Sequence, residues 1–135
     1  MPSRHDPADC LADMIENAER IERYLAGVDR ATFAGNGLLR DAVERCLERV
    51  CEAAHRLGER ATELMPSQAW SDIRGMGNRL RHAYDRISLD VIWNTARHDL
   101  PGLAADARRA LAQLRTHQND AERSDASKRD AGEHG

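Results

Sequence analysis

Aromatic side chains are scarce in this chain: two Trp, two Tyr and one Phe, 4% of 135 residues. β-Branched residues are few and never fall into an alternating run. Sheets are built from those side chains, so the composition argues against strands. A surplus of one charge is also missing, since 20 Lys and Arg face 23 Asp and Glu for a net charge of −3. No global basic field therefore advertises a nucleic-acid partner, and such a partner would need a local patch. Cysteine is limited to Cys10, Cys46 and Cys51, an odd number without C-x-x-C spacing. Cys46 and Cys51 stand five apart in a helical pattern, a poor geometry for a disulfide or a shared metal, and a reducing cytoplasm is expected. No stretch approaches the roughly 18 apolar residues of a membrane span, and the polar start MPSRHDPADC is unlike a secretory leader.

What is present is helical material. Ala, Leu, Arg and Glu dominate, and straight side chains lose little rotamer freedom in a helix. Asp6 and Pro7 make an N-cap and first position, and Leu11, Met14, Ala18, Ile21 and Leu25 recur at three- and four-residue steps. Asp29 to Gly37, with two glycines and an asparagine, reads as a loop. An extended apolar seam from Leu39 through Val43, Cys46, Val50, Ala54, Leu57 and Ala61 to Leu64 predicts one long helix, ended by Pro66-Ser67. A third helix is expected from Ala69 towards His82 and a fourth from Ile87 to Arg97, capped by Ser88 or Asp85. Pro101-Gly102 is read as an interruption before a last helix from Leu103 to Leu114. From Thr116 large apolar side chains are absent and the charge is mixed, which predicts a disordered polar tail. The expected organisation is a four- to five-helix, all-α domain over 1–115 and a tail over 116–135.

The densest polar cluster is Arg74, Asn78, Arg79, Arg81, His82, Tyr84, Asp85 and Arg86, a local basic patch with no carboxylate from Ile73 to Tyr84. On a continuous helix Arg74, Asn78 and His82 would form one stripe. An imidazole can take a proton from a ribose 2′-hydroxyl near neutral pH, and a guanidinium can stabilise charge on phosphate oxygens. Solvated surface is the competing interpretation of such a helix end. Gly75 and Gly77 each weaken a helix by about 1 kcal/mol, which points to close packing or to close approach of another chain. Cys51 and His55, one turn apart, lack the further ligands a structural metal needs, so no metal and no cofactor are expected. GMG and GNG are too short for a phosphate-cradling loop and lack the following Lys, so a nucleotide-transferring role is not expected of this chain.

The run WSDIRGMGNRLRHAYDRISLDVIWNTARHDLPGL, Trp70 to Leu103, resembles the signature of the HepT-like branch of the HEPN superfamily. The matching pieces are Trp70, the Ile73–Gly75–Met76 step, Asn78, Leu80, His82-x-Tyr84, Val91 to Trp93 and Leu100-Pro101. The resemblance extends less specifically over residues 7 to 115. It implies a helical bundle that forms a homodimer, with the motifs of both subunits along one cleft. It further implies a metal-independent endoribonuclease, the toxin of a type VII-like toxin–antitoxin pair, acting on RNA in the cytoplasm. The implied partner is a nucleotidyltransferase antitoxin that attaches AMP to the motif tyrosine. By this resemblance His82 is the catalytic imidazole, Asn78 its polar support and Tyr84 the AMPylated residue. Arg79 or Arg74 would steady the phosphate, with Arg81 and Arg86 binding RNA.

The family motif reads Arg-Asn-x-x-x-His-x-Tyr, and here Gly77 occupies the arginine position. Arg74, eight residues before His82, would lie about 12 Å away along a helix. Three readings stay open: a ribonuclease with a relocated guanidinium, a non-catalytic dimer that binds RNA or the partner, and a plain structural bundle. Gly77→Arg would restore cleavage if a lost arginine were the whole difference.

Overall fold

In a computed structural model, which describes residues 6–82 and 87–133, the chain is helical throughout, with no strand among the described residues. Helix α1, Pro7–Leu25, starts where the Asp6 carboxylate accepts from the Ala8 N–H at 2.9 Å, with Pro7 in the first turn. Its apolar face, Leu11, Met14, Ala18, Ile21 and Leu25, is buried as the periodicity predicts. Helix α3, Gly37–Leu57, is capped by Asn36 and buries Val43, Cys46, Leu47, Val50 and Leu57. These two helices make the most extensive contact in the bundle, and the last helix also packs on α1.

Four local features depart from the sequence expectations. Within the predicted loop, Arg30–Ala34 forms a short helix, α2, because Asp29 caps it through the Thr32 N–H at 2.7 Å. Phe33 is thereby driven fully into the core, where its ring meets Trp93 at 5.3 Å between centroids. The predicted long helix ends at Leu57, since Gly58 takes φ +58° and its N–H closes on the Ala54 and His55 carbonyls. A six-residue helix, α4 (Glu59–Leu64), follows. The apolar seam hid this break because Ala61 is buried on the far side of it. Glycine reaches that conformation without the Cβ clash other residues meet.

Helix α5 is Trp70–Arg81, helix α6 is Leu89–Asn94 capped by Ser88, and helix α7 is Leu100–Glu133. Pro101-Gly102 does not interrupt the chain. A π-helical turn, Thr95–Asp99, joins α6 to α7, and the Leu100 N–H reaches back five residues to the Thr95 carbonyl. Proline supplies no N–H and crowds the preceding turn, and the wider turn ahead of it lets the helix continue. Over 116–133, where a disordered tail is expected from composition, the structure carries α7 on as helix. Every described side chain from Arg115 to Gly132 is exposed. Extending an existing helix needs no new nucleus, which is how a stretch unable to bury itself takes this form.

Candidate functional site

Helix α5 carries the motif and packs chiefly on α3. Trp70 anchors its start: the indole is buried and donates to the Met65 carbonyl at 2.9 Å. Asp72 in the first turn and Arg79 and Arg81 in the last complement the helix dipole. Ile73, Met76 and Leu80 are half-buried against the core, while Arg74, Asn78, Arg79 and Arg81 are exposed. The basic residues of the motif therefore share the solvent side of one helix.

His82 is where the helix stops. Its backbone is extended (φ −99°, ψ 100°), its N–H bonds the Arg79 carbonyl at 3.3 Å, and its side chain is exposed. The expected continuous stripe of Arg74, Asn78 and His82 is thus corrected: the first two share a helical face, and the third sits on the turn leaving it. Tyr84 and Arg86 lie outside the described residues, as does Asp85. The chain is described again at Ile87, which is buried. Arg40 at the start of α3 donates to the Ile87 carbonyl at 2.7 Å and pairs with Glu44 at 3.1 Å. Asp90 pairs with Arg30 of α2. Both ends of the motif segment are therefore tied to the bundle, one by α5 on α3 and one by Arg40.

Among the motif arginines, Arg81 has a defined position. One guanidinium nitrogen donates to Asn78 Oδ1 at 2.8 Å, and the other lies 3.5 Å from Glu52 Oε2 on α3. Arg74 and Arg79 make no ion pair among the described residues. Glu52 was not singled out from the sequence, where it is one carboxylate among many on a helix about thirty residues upstream. Only the packing of α5 on α3 brings it to the motif.

That same packing explains Gly77, which with Trp70 makes up the buried residues of α5. A Cβ at this position would stand 2.8 Å from Cys51 Cβ and 3.7 Å from its Sγ. Cys51 Cβ is fixed to the α3 backbone and cannot swing aside. The position that holds arginine in the family pattern is closed here by a neighbouring helix. Gly75, by contrast, faces open space. Of the two explanations for the glycine pair, close packing holds at Gly77.

Burial pushes the Cys51 thiol up to about 11, and the nearby Arg81 charge draws it back only in part. The folded state holds this proton more tightly than the unfolded chain, so the associated stability is present below pH 9 and is lost as pH rises towards 11. We expect Cys51 to contribute a fall in unfolding free energy of the order of 2 kcal/mol across that range, and Cys51→Ala to remove that part and leave the part due to Cys10 and Cys46, whose thiols burial also raises. Urea unfolding at pH 8 and pH 11 measures it, and an equal fall in the variant would locate the titration elsewhere. No cluster of metal-ligating side chains occurs among the described residues, and His55 is exposed while Cys51 is buried. No described helix is long and apolar enough to cross a membrane.

The chain is similar to known proteins over most of its length. The family model described as ribonuclease HepT-like matches residues 14–110. A candidate RNase of Methanocaldococcus jannaschii is 29% identical over 99 residues, covering 73% of this chain and 91% of the relative. A second from the same organism is 25% identical over 114 residues, covering 84% and 93%. A protein of Thermococcus cleftensis designated a candidate HepT ribonuclease is 30% identical over 95 residues, covering 70% and 86%. No solved structure matches the chain significantly.

Proposed function

Because this chain belongs to the ribonuclease HepT-like family, we propose that it is an RNA endonuclease that needs no metal and uses His82 as general base. The imidazole takes the proton of a ribose 2′-hydroxyl, and the freed oxygen attacks the adjacent phosphorus. The bond from phosphorus to the 5′-oxygen breaks, leaving a 2′,3′-cyclic phosphate and a 5′-hydroxyl, to which a proton returns. Negative charge grows on the non-bridging oxygens in this step, and a positioned guanidinium stabilises it.

The observation that carries the reading is the Asn78–Arg81–Glu52 arrangement at the helix end next to His82. Arg81 takes over the task of the arginine that Gly77 cannot provide. A flexible arginine carries about 2 kcal/mol of rotamer entropy, and two polar partners remove much of that cost before substrate arrives. Asn78 then acts by holding Arg81, a role different from direct support of the imidazole. Arg74 and Arg79, exposed on the same helix, attract the RNA backbone.

The remainder follows the family pattern: a cytoplasmic homodimer whose motifs share one cleft, with a nucleotidyltransferase antitoxin as partner and Tyr84 as the AMPylated residue. Incubation with RNA in excess chelator tests the core of the proposal. Cleavage to cyclic-phosphate ends is expected, and activity that appears only on adding a divalent metal would overturn metal independence. Arg81→Ala is expected to slow single-turnover cleavage by about 100-fold, whereas Arg74→Ala chiefly weakens RNA binding. If Arg74→Ala proves the more damaging to the chemical step, the relocation to Arg81 is wrong. Gly77 also supports a second reading, a dimer that binds RNA or its partner without cutting, and unchanged RNA in that assay would favour it.

A further inference from the structure

Between α1 and α3 lies a groove of about 240 Å³ lined by charged and amide side chains alone, among them Asp13, Asn17 and Arg20 of α1 and Arg49, Glu52 and Arg56 of α3. Core packing does not require it, since the apolar faces of the same helices close elsewhere through Leu11, Met14, Ile21, Val43 and Val50. Its volume lies below the roughly 300–1,000 Å³ of pockets for drug-sized ligands, which leaves room for part of a nucleotide, such as its phosphate and sugar.

Two of the lining residues keep a polar atom buried. Asn17 is 7% exposed; its amide nitrogen donates to the Asp13 carbonyl at 2.9 Å, and its Oδ1 accepts no bond. Arg56 holds Asp13 at 2.8 Å through a terminal nitrogen, while its Nε–H has no acceptor. An acceptor and a donor thus lie without partners among the described residues, buried beside the groove rather than open to it.

The lining sets three carboxylates, Asp13, Glu16 and Glu52, against three arginines, Arg20, Arg49 and Arg56, but one of the acids pairs with an arginine outside the groove. Glu16 pairs with Arg20 at 3.2 Å, Asp13 with Arg56 at 2.8 Å, and Glu52 with Arg81 of the motif at 3.5 Å. Each carboxylate of the groove is therefore neutralised. Arg49 is exposed and has no carboxylate partner among the described residues, so it is the groove's surplus cation. Through Glu52 the groove meets Arg81, the neighbour of His82 in the chain.

We infer that this groove is a subsite for single-stranded RNA, in which a nucleotide flanking the scissile phosphate sits between α1 and α3 with its phosphate on Arg49. The inference rests on the ribonuclease reading for its ligand but not on turnover. An arginine without an acidic partner among the described residues, in a groove lined by charged and amide side chains, suits a phosphate with an attached sugar or base edge.

The test uses the full chain carrying His82→Ala, so that cleavage does not interfere. Binding of a fluorescent single-stranded RNA is followed by anisotropy over a range of salt, with Arg49→Ala, Arg81→Ala and, as a distant control, Arg123→Ala. Arg49→Ala is expected to weaken binding about five- to tenfold at low salt and to flatten the log–log salt slope by about 0.7, as for one lost phosphate contact on a single strand. Arg123→Ala should change neither. In the active chain Arg49→Ala should raise KM and leave kcat in place. If Arg81→Ala weakens binding and Arg49→Ala does not, the subsite is refuted and the ribonuclease reading stands. RNA bound through Arg49 by a chain that never cuts would refute the nuclease and keep the subsite. No RNA binding at all would overturn both.

Discussion

Gly77→Arg is expected to cost roughly 3 kcal/mol or more of stability and to leave RNA cleavage no faster than in the parent chain. It is the obvious repair suggested by the family motif, and the structure turns that suggestion around. Any Cβ at position 77 meets Cys51 Cβ at 2.8 Å, closer than two carbons can sit, so one helix must move off the other. Even Gly77→Ala should destabilise by about 1–2 kcal/mol, because the overpacking outweighs the ~1 kcal/mol that alanine gains in helix propensity. Arginine adds the burial of a long stem and a charge at the same contact. Urea unfolding with an unchanged m-value gives the stability, and cleavage at a temperature where the variant stays folded gives the activity. A double-mutant cycle with Cys51→Gly makes the contact specific: removing the opposing Cβ should recover much of the loss, with a coupling above ~1 kcal/mol. Additive effects, or a gain in cleavage with Gly77→Arg alone, would remove this explanation of the glycine.

Loss of the imidazole is the other change with a large expected effect. His82→Ala should lower the single-turnover rate by about 10²- to 10⁴-fold, the range of a positioned general base, while RNA affinity changes little. The separation matters, because His82 sits on an exposed turn among arginines, and a purely electrostatic role would weaken binding instead. Single-turnover cleavage together with equilibrium binding distinguishes them. A variant that keeps a tenth of the parent rate would show that another group takes the proton.

Much of this fold can be read from residue spacing. The apolar faces of α1 and α3, the Pro66-Ser67 break and the Ser88 cap all follow from local pattern and are present. The departures have a common physical origin, in that each depends on backbone conformation or on a neighbour. Gly58 ends a helix whose hydrophobic seam runs on past it. Pro101 should stop a helix, yet a wider turn upstream accommodates it. Asp29 and Phe33 turn an apparent loop into one helical turn because a core pocket exists for the ring.

The candidate site divides in the same way. Asn78, Arg81 and His82 stand out in sequence as a basic cluster with a family pattern. Glu52 and Arg49 do not, and Cys51 draws notice only for metal or disulfide chemistry, because helix α3 reaches the motif only in three dimensions. Asn17 gave the one available hint of the groove, a polar side chain between Met14 and Ile21 on an otherwise apolar face. Spacing also misplaced His82, since nothing in the run of residues marks Arg81 as the last helical one.

The contact between Gly77 and Cys51 also constrains the order in which this chain can change over generations. An arginine at 77 becomes acceptable only after position 51 has lost its Cβ or α5 has shifted, and neither prior change brings a benefit by itself. Substitutions at Arg81 face no such barrier, because its side chain is exposed. If Arg81 bears the phosphate as proposed, the packing of two helices keeps that task from returning to position 77. Descendants of this chain would vary around Arg81 while Gly77 and Cys51 stay as a pair.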